Sequence, residues 1–323
     1  MPNNCFVSVI VPNYCHSQYL DERIQSILNQ TYQDFELIIL DDCSPDDGAS
    51  REVIDRYRDN PHISHIVYNE VNSGSPFKQW YKGFELAVGK YIWIAESDDK
   101  CDKRLLETLV DACQKDDAVL AFCKSQVFYD TGEKFINGSQ ISMERGFTMD
   151  GKLFVSEYLW IRNTIVNASA VIFRKDDAMA VKPLYTEFRA AGDWMFWIEL
   201  AERGKVTFVA QVLNFFRKHP LGTTVVSNKT GLSLKENYPI FNYLSKNGYF
   251  GFYKRLKFKL RIIKFSKDIN YEGKKEILRL WDKYYVYRII LMFYFPIRNL
   301  IKIAAHLFSF VHCHSINKSI IGR

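Results

Sequence analysis

A chain of 323 residues that is 47% hydrophobic and 25% charged is globular, with apolar material for one large core or two modest ones. Its seven cysteines (5, 15, 43, 101, 113, 123 and 313) are odd in number and include no C-x-x-C pair, so a zinc ribbon, a redox dithiol or a secreted disulfide framework finds no support. The net charge of +6 is uneven: from Lys246 onward 17 Lys and Arg stand against 4 Asp and Glu, which leaves the first 245 residues acidic and speaks against a nucleic-acid partner.

Met1-Pro2-Asn3-Asn4 lacks the basic segment of a signal peptide, and the apolar run after it is too short for one, so a reducing cytoplasmic setting is expected. That run, Phe6–Val11, is a first strand, and Pro12-Asn13-Tyr14 ends it without any glycine-rich loop. Leu20, Ile24, Ile27 and Leu28 then recur at helical spacing behind Ser17, which reads as an N-cap, and this helix ends near Gln30. A second strand, Phe35–Leu40, closes on Asp41-Asp42. Helix 49–59, a short strand Ser64–Tyr68, a turn around Gly74 and helix 77–88 follow.

The next strand is the most informative. Tyr91 to Ala95 shows no polar alternation, as expected of a strand covered on both faces, and it ends in Glu96, Asp98 and Asp99. Like charges this close repel unless water or a cation offsets them, and hard divalent cations take oxygen ligands and bridge to phosphates. A solvated acidic start to the following helix, 102–115, explains the cluster equally well when it is taken alone. Its surroundings favour a site: Asp41-Asp42 is a second strand end bearing carboxylates, and ligands of parallel sheets gather beyond such ends.

Strand Ala118–Cys123 continues the alternation that argues for a doubly wound, mostly parallel α/β sheet. Residues 129–151 read as a hairpin or a loop over the site. Ala168–Arg174 is a further strand. Asp193 then opens a helix as its N-cap, with Trp194, Trp197, Ile198 and Ala201 on the buried face and a close near Gly204. Strands Val206–Ala210 and Leu213–Arg217 precede a loop that contains His219. The expected boundary separates residues 1–228 from a helical, aromatic and basic region, 229–323.

In order, Val7–Tyr14, Ser26–Tyr32 running into Phe35–Ser44, Glu96-Ser97-Asp98-Asp99, and Gly192-Asp193 resemble the family 2 glycosyltransferases, inverting enzymes of the GT-A fold, over about residues 6–225. The resemblance implies transfer of a sugar from a nucleotide-sugar, with UDP favoured, to a saccharide or lipid-linked saccharide acceptor, as in surface polysaccharide synthesis. It implies that Pro12, Tyr14, Asp41 and Asp42 hold the nucleotide, with Lys78 near the phosphates where relatives carry an Arg-Asn pair. Asp98 is then a sugar or ribose contact, Asp99 the main ligand of Mg²⁺ or Mn²⁺, and His219 a further ligand or an ordinary loop histidine. Glu96 departs from the commoner Asp of the D-x-D motif and is the weakest ligand candidate. Asp193 matches the catalytic base that deprotonates the acceptor hydroxyl, with Glu187 as its fallback.

A nucleotidyltransferase of related fold fits less well, because no glycine-rich loop follows the first strand, and no G-x-G-x-x-G supports a dehydrogenase. A membrane-tethered scaffold is disfavoured because every acidic site position is occupied. In the tail, 254–261 fits a strand or a helix; Ile289–Ile297 is too short to span a bilayer, and the stripe beyond Arg298 is that of an interfacial helix. An anionic membrane surface on the cytoplasmic side is the expected partner, and packing on the catalytic domain or on a second copy of the chain is the alternative.

Overall fold

The computed structural model describes residues 6–138, 140–219, 222–267 and 273–281. The first half alternates β1 (Val7–Asn13), α1 (Ser17–Leu28), β2 (Phe35–Asp41), α2 (Ala49–Asp55), β3 (Ile63–Tyr68), α3 (Pro76–Leu86), β4 (Tyr91–Ile94), the two-residue β5 (Lys100–Cys101) and α4 (Leu105–Asp116). Then come β6 (Ala118–Phe128), β7 (Lys134–Ile136), β8 (Phe147–Asp150), α5 (Gly151–Phe154), β9 (Val171–Arg174), α6 (Lys175–Met179) and α7 (Gly192–Ala201). The last described elements are β10 (Lys205–Arg217), α8 (Thr223–Thr230), α9 (Leu232–Lys246), α10 (Phe252–Lys267) and α11 (Lys274–Trp281).

All the described strands join one large α/β sheet in the order β3-β2-β1-β4-β9-β6-β10-β5, with β7 beside β6 and β8 beside β10. β1 to β4 run parallel, as do β6 and β10, and β9 lies antiparallel between β4 and β6. Residues alternate between two cores because a strand's side chains alternate between faces: Val7, Val9 and Val11 join Leu20, Ile24 and Leu109, whereas Ile10 joins Phe84, Trp197 and Leu244. Helices therefore cover both faces of the sheet, which is why the strands read as unbroken apolar runs. A Cβ on Gly83 would lie 2.6 Å from Ile10 Cγ2, so the missing side chain is what lets α3 sit directly on β1.

Three expectations about helix ends and strands are corrected. Ser17 is the first residue of α1 and not its cap; His16 holds the cap position, and its ring turns away to Ser97. Asp193 is likewise not an N-cap, since Ala191 holds that position and Asp193 lies inside the first turn of α7. The two strands expected at 206–217 are one, β10, whose register shifts between Val209 and Val212 and again before Asn214 break the alternation. Residues 129–151 contain a hairpin, closed by Tyr129 N–H donating to the Glu133 carbonyl at 3.0 Å, followed by β8 paired to β10.

The stretch 254–261 is helical, within α10. The expected boundary after residue 228 does not separate two cores: Leu234, Ile240, Leu244, Phe258 and Trp281 belong to the same cluster as Ile10 and Trp197. Trp281 donates its indole N–H to the Leu234 carbonyl at 3.1 Å, tying α11 back to α9. Ile289–Ile297 and the stripe beyond Arg298 lie outside the described residues. Among the described residues no helix is long and apolar enough to cross a membrane.

Because Leu244 is fully buried in the shared core, Leu244→Ala is expected to destabilise the whole chain by about 2–5 kcal/mol in a single cooperative urea transition. An unchanged main midpoint beside a separate weak transition would instead restore a two-domain boundary.

Candidate active site

The register that pairs Asn13 with Asp41 and Ile10 with Ile94 brings the carboxyl ends of β1, β2 and β4 side by side. Beyond them opens a cleft of about 900 Å³. Of the residues singled out in the sequence, Pro12, Tyr14, Asp42, Asp98, Asp193 and His219 line it, with Glu96 in its wall. Asp41, Lys78, Asp99 and Glu187 do not.

Each of those four has a physical reason for its absence. Asp41 uses its carboxylate inside the fold: Oδ1 accepts from Asn13 Nδ2 and Ser44 Oγ, both at 2.7 Å, and Oδ2 from Ser44 N–H at 3.1 Å. The correction for Asp41 is therefore from nucleotide contact to loop brace. Lys78 is exposed and donates to the Ser73 carbonyl at 3.2 Å, while its neighbour Gln79 faces the cleft and donates to Asp42 Oδ1 at 2.8 Å. Glu187 is exposed at the end of the turn 183–187.

Asp99 is 1% exposed, and its carboxylate accepts three hydrogen bonds from its own chain. Its Oδ2 accepts from Asn167 Nδ2 at 2.8 Å and Ser169 Oγ at 2.7 Å, and its Oδ1 from Arg217 N–H at 3.0 Å. Asp99, expected as the main metal ligand, therefore does not reach the cleft, and the carboxylate presented there is that of Asp98. His219 Nε2 lies 3.2 Å from Asp98 Oδ2, and His16 Nδ1 lies 2.8 Å from Ser97 Oγ. His16, Asp98 and His219 each offer a ligand atom, and these atoms all lie within 4.8 Å of one another.

The electrostatics separate the carboxylates. Burial works to raise the Asp98 carboxyl, but the hydrogen bond from His219 and the charges of His16 and His219 hold it below the ordinary value. The same hydrogen bond raises His219, whereas burial lowers His16. Glu96 is pushed to about 8 by burial and by the nearby Asp98 and Asp99 charges, and its Oε1 accepts from the Trp80 indole at 3.1 Å. At neutral pH Asp98 is thus the ionised member of the pair that faces the cleft, and Glu96 is mostly protonated.

Asp42 accepts three of its four hydrogen bonds on Oδ1, from Asn69, Ser73 N–H and Gln79. Its Oδ2 holds the Ser73 hydroxyl at 2.7 Å, which leaves acceptor capacity there. Tyr14 is 46% exposed and lines the same cleft.

Asp193 enters from α7, a helix apolar all round and therefore buried on every side. A Cβ on Gly192 would lie 2.5 Å from the Phe77 ring and 2.6 Å from the Tyr185 carbonyl, so glycine allows the start of α7 to seat against α3. Asp193 Oδ1 accepts from Trp194 N–H at 2.7 Å and Oδ2 from Asn163 Nδ2 at 2.8 Å. Burial raises its pKa to about 7; these two hydrogen bonds oppose the shift, and the Glu236 charge adds to it.

Several residues of the site carry no local sequence signal. Glu236 of α9 accepts from the N–H groups of Arg189, Ala190 and Ala191 at 2.8, 2.9 and 2.8 Å, clamping the loop just before Asp193. Arg217 donates from Nε to the Asp98 carbonyl at 2.8 Å, pairs with Glu22 and Asp130, and lies over the Tyr19 ring at 4.4 Å. Their partners are distant in sequence, so only the fold reveals them.

The profile of a family described as "Glycosyl transferase family 2" matches residues 8–177, more than half of the chain. This protein belongs to that glycosyltransferase family. It is 28% identical over 201 residues to the putative teichuronic acid biosynthesis glycosyltransferase TuaG of Bacillus subtilis, covering 61% of this chain and 73% of TuaG. It is 30% identical over 258 residues to an uncharacterised glycosyltransferase of Haemophilus influenzae, covering 77% of each. It is 28% identical over 204 residues to the poly(ribitol-phosphate) beta-N-acetylglucosaminyltransferase TarP of Staphylococcus aureus, covering 62% of this chain and 58% of TarP. The crystal structure of S. aureus TarS 1-349 in complex with UDP-GlcNAc superposes with a TM-score of 0.55 at 16% identity, over 85% of this chain and 71% of that one. The glycosyltransferase thus shares the fold of TarS.

The raised pKa of Asp193 has a stability consequence. A carboxyl at about 7 in the folded chain and about 3.9 in the unfolded one holds its proton more tightly when folded, so it costs stability as pH rises through that window. Asp193→Asn is expected to raise the melting temperature above wild type at pH 8, with the gain shrinking toward pH 4. A gain independent of pH would refute the shift.

Proposed function

We propose that this glycosyltransferase moves a hexosyl or N-acetylhexosaminyl group, with inversion at its anomeric carbon, from a UDP-sugar to a saccharide or lipid-linked saccharide of a surface polysaccharide. The observation that carries the proposal is that one cleft presents both the Asp98–His219 pair and Asp193, a carboxyl that titrates near 7. A UDP donor is supported by the UDP-GlcNAc complex of TarS and by the named activity of TarP.

The roles follow from chemistry. Tyr14 supplies a face for base stacking, and Asp42 Oδ2 an acceptor for a uracil-type N–H. Asp98 Oδ2 and His219 Nε2, 3.2 Å apart, suit two ligands of one divalent ion, because ligands about 2.1 Å from an ion at right angles are about 3 Å apart. Mg²⁺ or Mn²⁺ held there supplies charge neutralisation to the departing diphosphate. Asp193 takes the proton of the acceptor hydroxyl, and the loop clamped by Glu236 keeps it in place. The basic excess from Lys246 onward supports peripheral attachment to an anionic membrane on its cytoplasmic side.

A panel of nucleotide-sugars incubated with the full chain tests the reading. We expect divalent-ion-dependent turnover of a UDP-sugar, abolished in Asp98→Ala. Asp193→Asn should lose transfer by ~10²–10⁴-fold while binding UDP as wild type does. Below pH about 7, transfer should fall about tenfold per pH unit, because the base must be unprotonated to act. Full turnover by folded protein in excess chelator would remove the ion from this account, and undiminished transfer by Asp193→Asn would remove the base.

A further inference from the structure

We propose that His16 is a third protein ligand of the divalent ion at Asp98 and His219, and that this two-imidazole, one-carboxylate set makes the protein select Mn²⁺, Co²⁺ or Zn²⁺ over Mg²⁺. The inference rests on the preceding reading that an ion binds at Asp98, and it adds a ligand and a selectivity to it.

The argument is geometric. His16 follows β1 and His219 follows β10, more than two hundred residues later, yet both line the cleft and both close on Asp98. Their ring centroids are 5.3 Å apart at an interplanar angle of 87°, so the two imidazoles stand side by side at one end of the cleft without stacking. The three ligand atoms lie within 4.8 Å of one another. Atoms bound about 2.1 Å from a single ion span up to about 4.2 Å, so little or no side-chain movement closes the set.

The neighbours of His16 suit the same role. The hydrogen bond between Ser97 Oγ and Nδ1, 2.8 Å long, fixes the ring as an outer hydrogen bond orients a ligating imidazole, with Nε2 as the atom that would ligate. His16 also sits at the cap position of α1 without capping it, so its ring is committed to the cleft and not to the helix end. Arg217 fixes the third member, donating from Nε to the Asp98 carbonyl at 2.8 Å.

The donor types then decide the metal. Imidazole nitrogens suit Zn²⁺ and the other later first-row ions, while Mg²⁺ demands oxygen and keeps its waters. A site of Asp98 alone with water and diphosphate would accept Mg²⁺ readily. Two imidazoles shift the preference away from it.

The probe is the metal chloride alone, titrated into the full-length protein. We expect Co²⁺ to bind at least tenfold more tightly than Mg²⁺, with visible d–d absorption that changes when a nitrogen ligand is lost. His16→Gln should weaken Co²⁺ and Mn²⁺ by about 10–100-fold while moving Mg²⁺ less than threefold. In the unaltered protein, ¹⁵N-histidine spectra should show two ring signals shifting together on Zn²⁺ addition, a reading that does not depend on the variant's folding. If Asp98→Asn loses Co²⁺ but His16→Gln binds it as wild type does and only one ring shifts, the third ligand is refuted while the Asp98 site stands. If wild type binds no ion in the millimolar range, both fall.

Discussion

Five carboxylates, those of Asp41, Asp42, Glu96, Asp98 and Asp99, converge where β2 and β4 end, and the site depends on how their mutual repulsion is offset. The fold does it unequally. Asp41, Asp42 and Asp99 are satisfied by hydrogen bonds from side chains and N–H groups of the chain itself. Glu96 is pushed to about 8 and so sheds its charge near neutrality. Asp98 faces the cleft with its carboxyl held below the ordinary value and with imidazoles as its neighbours. A set of like charges that would repel strongly together is thereby spread over hydrogen bonds, protonation and neighbouring imidazoles.

Beneath this cluster lies Arg23, fully buried, with its guanidinium 4.9 Å from the Trp93 ring and none of its nitrogens hydrogen-bonded in the structure. Its charge acts to lower both Glu96 and Asp99. An unpaired buried cation is costly by itself, so its placement makes sense as a counter-charge to the acids above it. Arg217 does the corresponding work from the other side, holding the Asp98 carbonyl and presenting its own N–H to Asp99. The strand end is therefore braced from below and from β10 before any donor arrives.

How much of this was legible depended on range. β1, β2 and β4 were readable because unbroken apolar runs are the direct consequence of coverage on both faces. The identity of the cleft-facing acid was not, because Asp98 and Asp99 differ only in which donors reach them, and those of Asp99 come from Asn167, Ser169 and Arg217. β10 was read as two strands because its bulges break the period on which the reading relied. His16 gave no signal in the sequence, where Ser17 was the expected cap, and its place beside Ser97, 81 residues away, appears only in the fold. Local pattern thus fixed where the strands end, while long-range contacts fixed which side chain faces the ligand.

The C-terminal helices are where these two levels meet. Had residues after 228 formed a separate unit, the loop before α7 would lose the acceptor of three N–H groups, those of Arg189, Ala190 and Ala191. Glu236 satisfies all three, and it can reach them only because Leu234, Ile240 and Leu244 seat α9 in the common core. The same carboxylate adds to the rise in the pKa of Asp193, through charge and not through contact. One acidic side chain therefore holds the loop that leads to Asp193 and helps bring the titration of that carboxyl to about 7. The helices after the sheet are in this sense part of the cleft's wall, because α9 holds both the shared core and the loop that leads into Asp193.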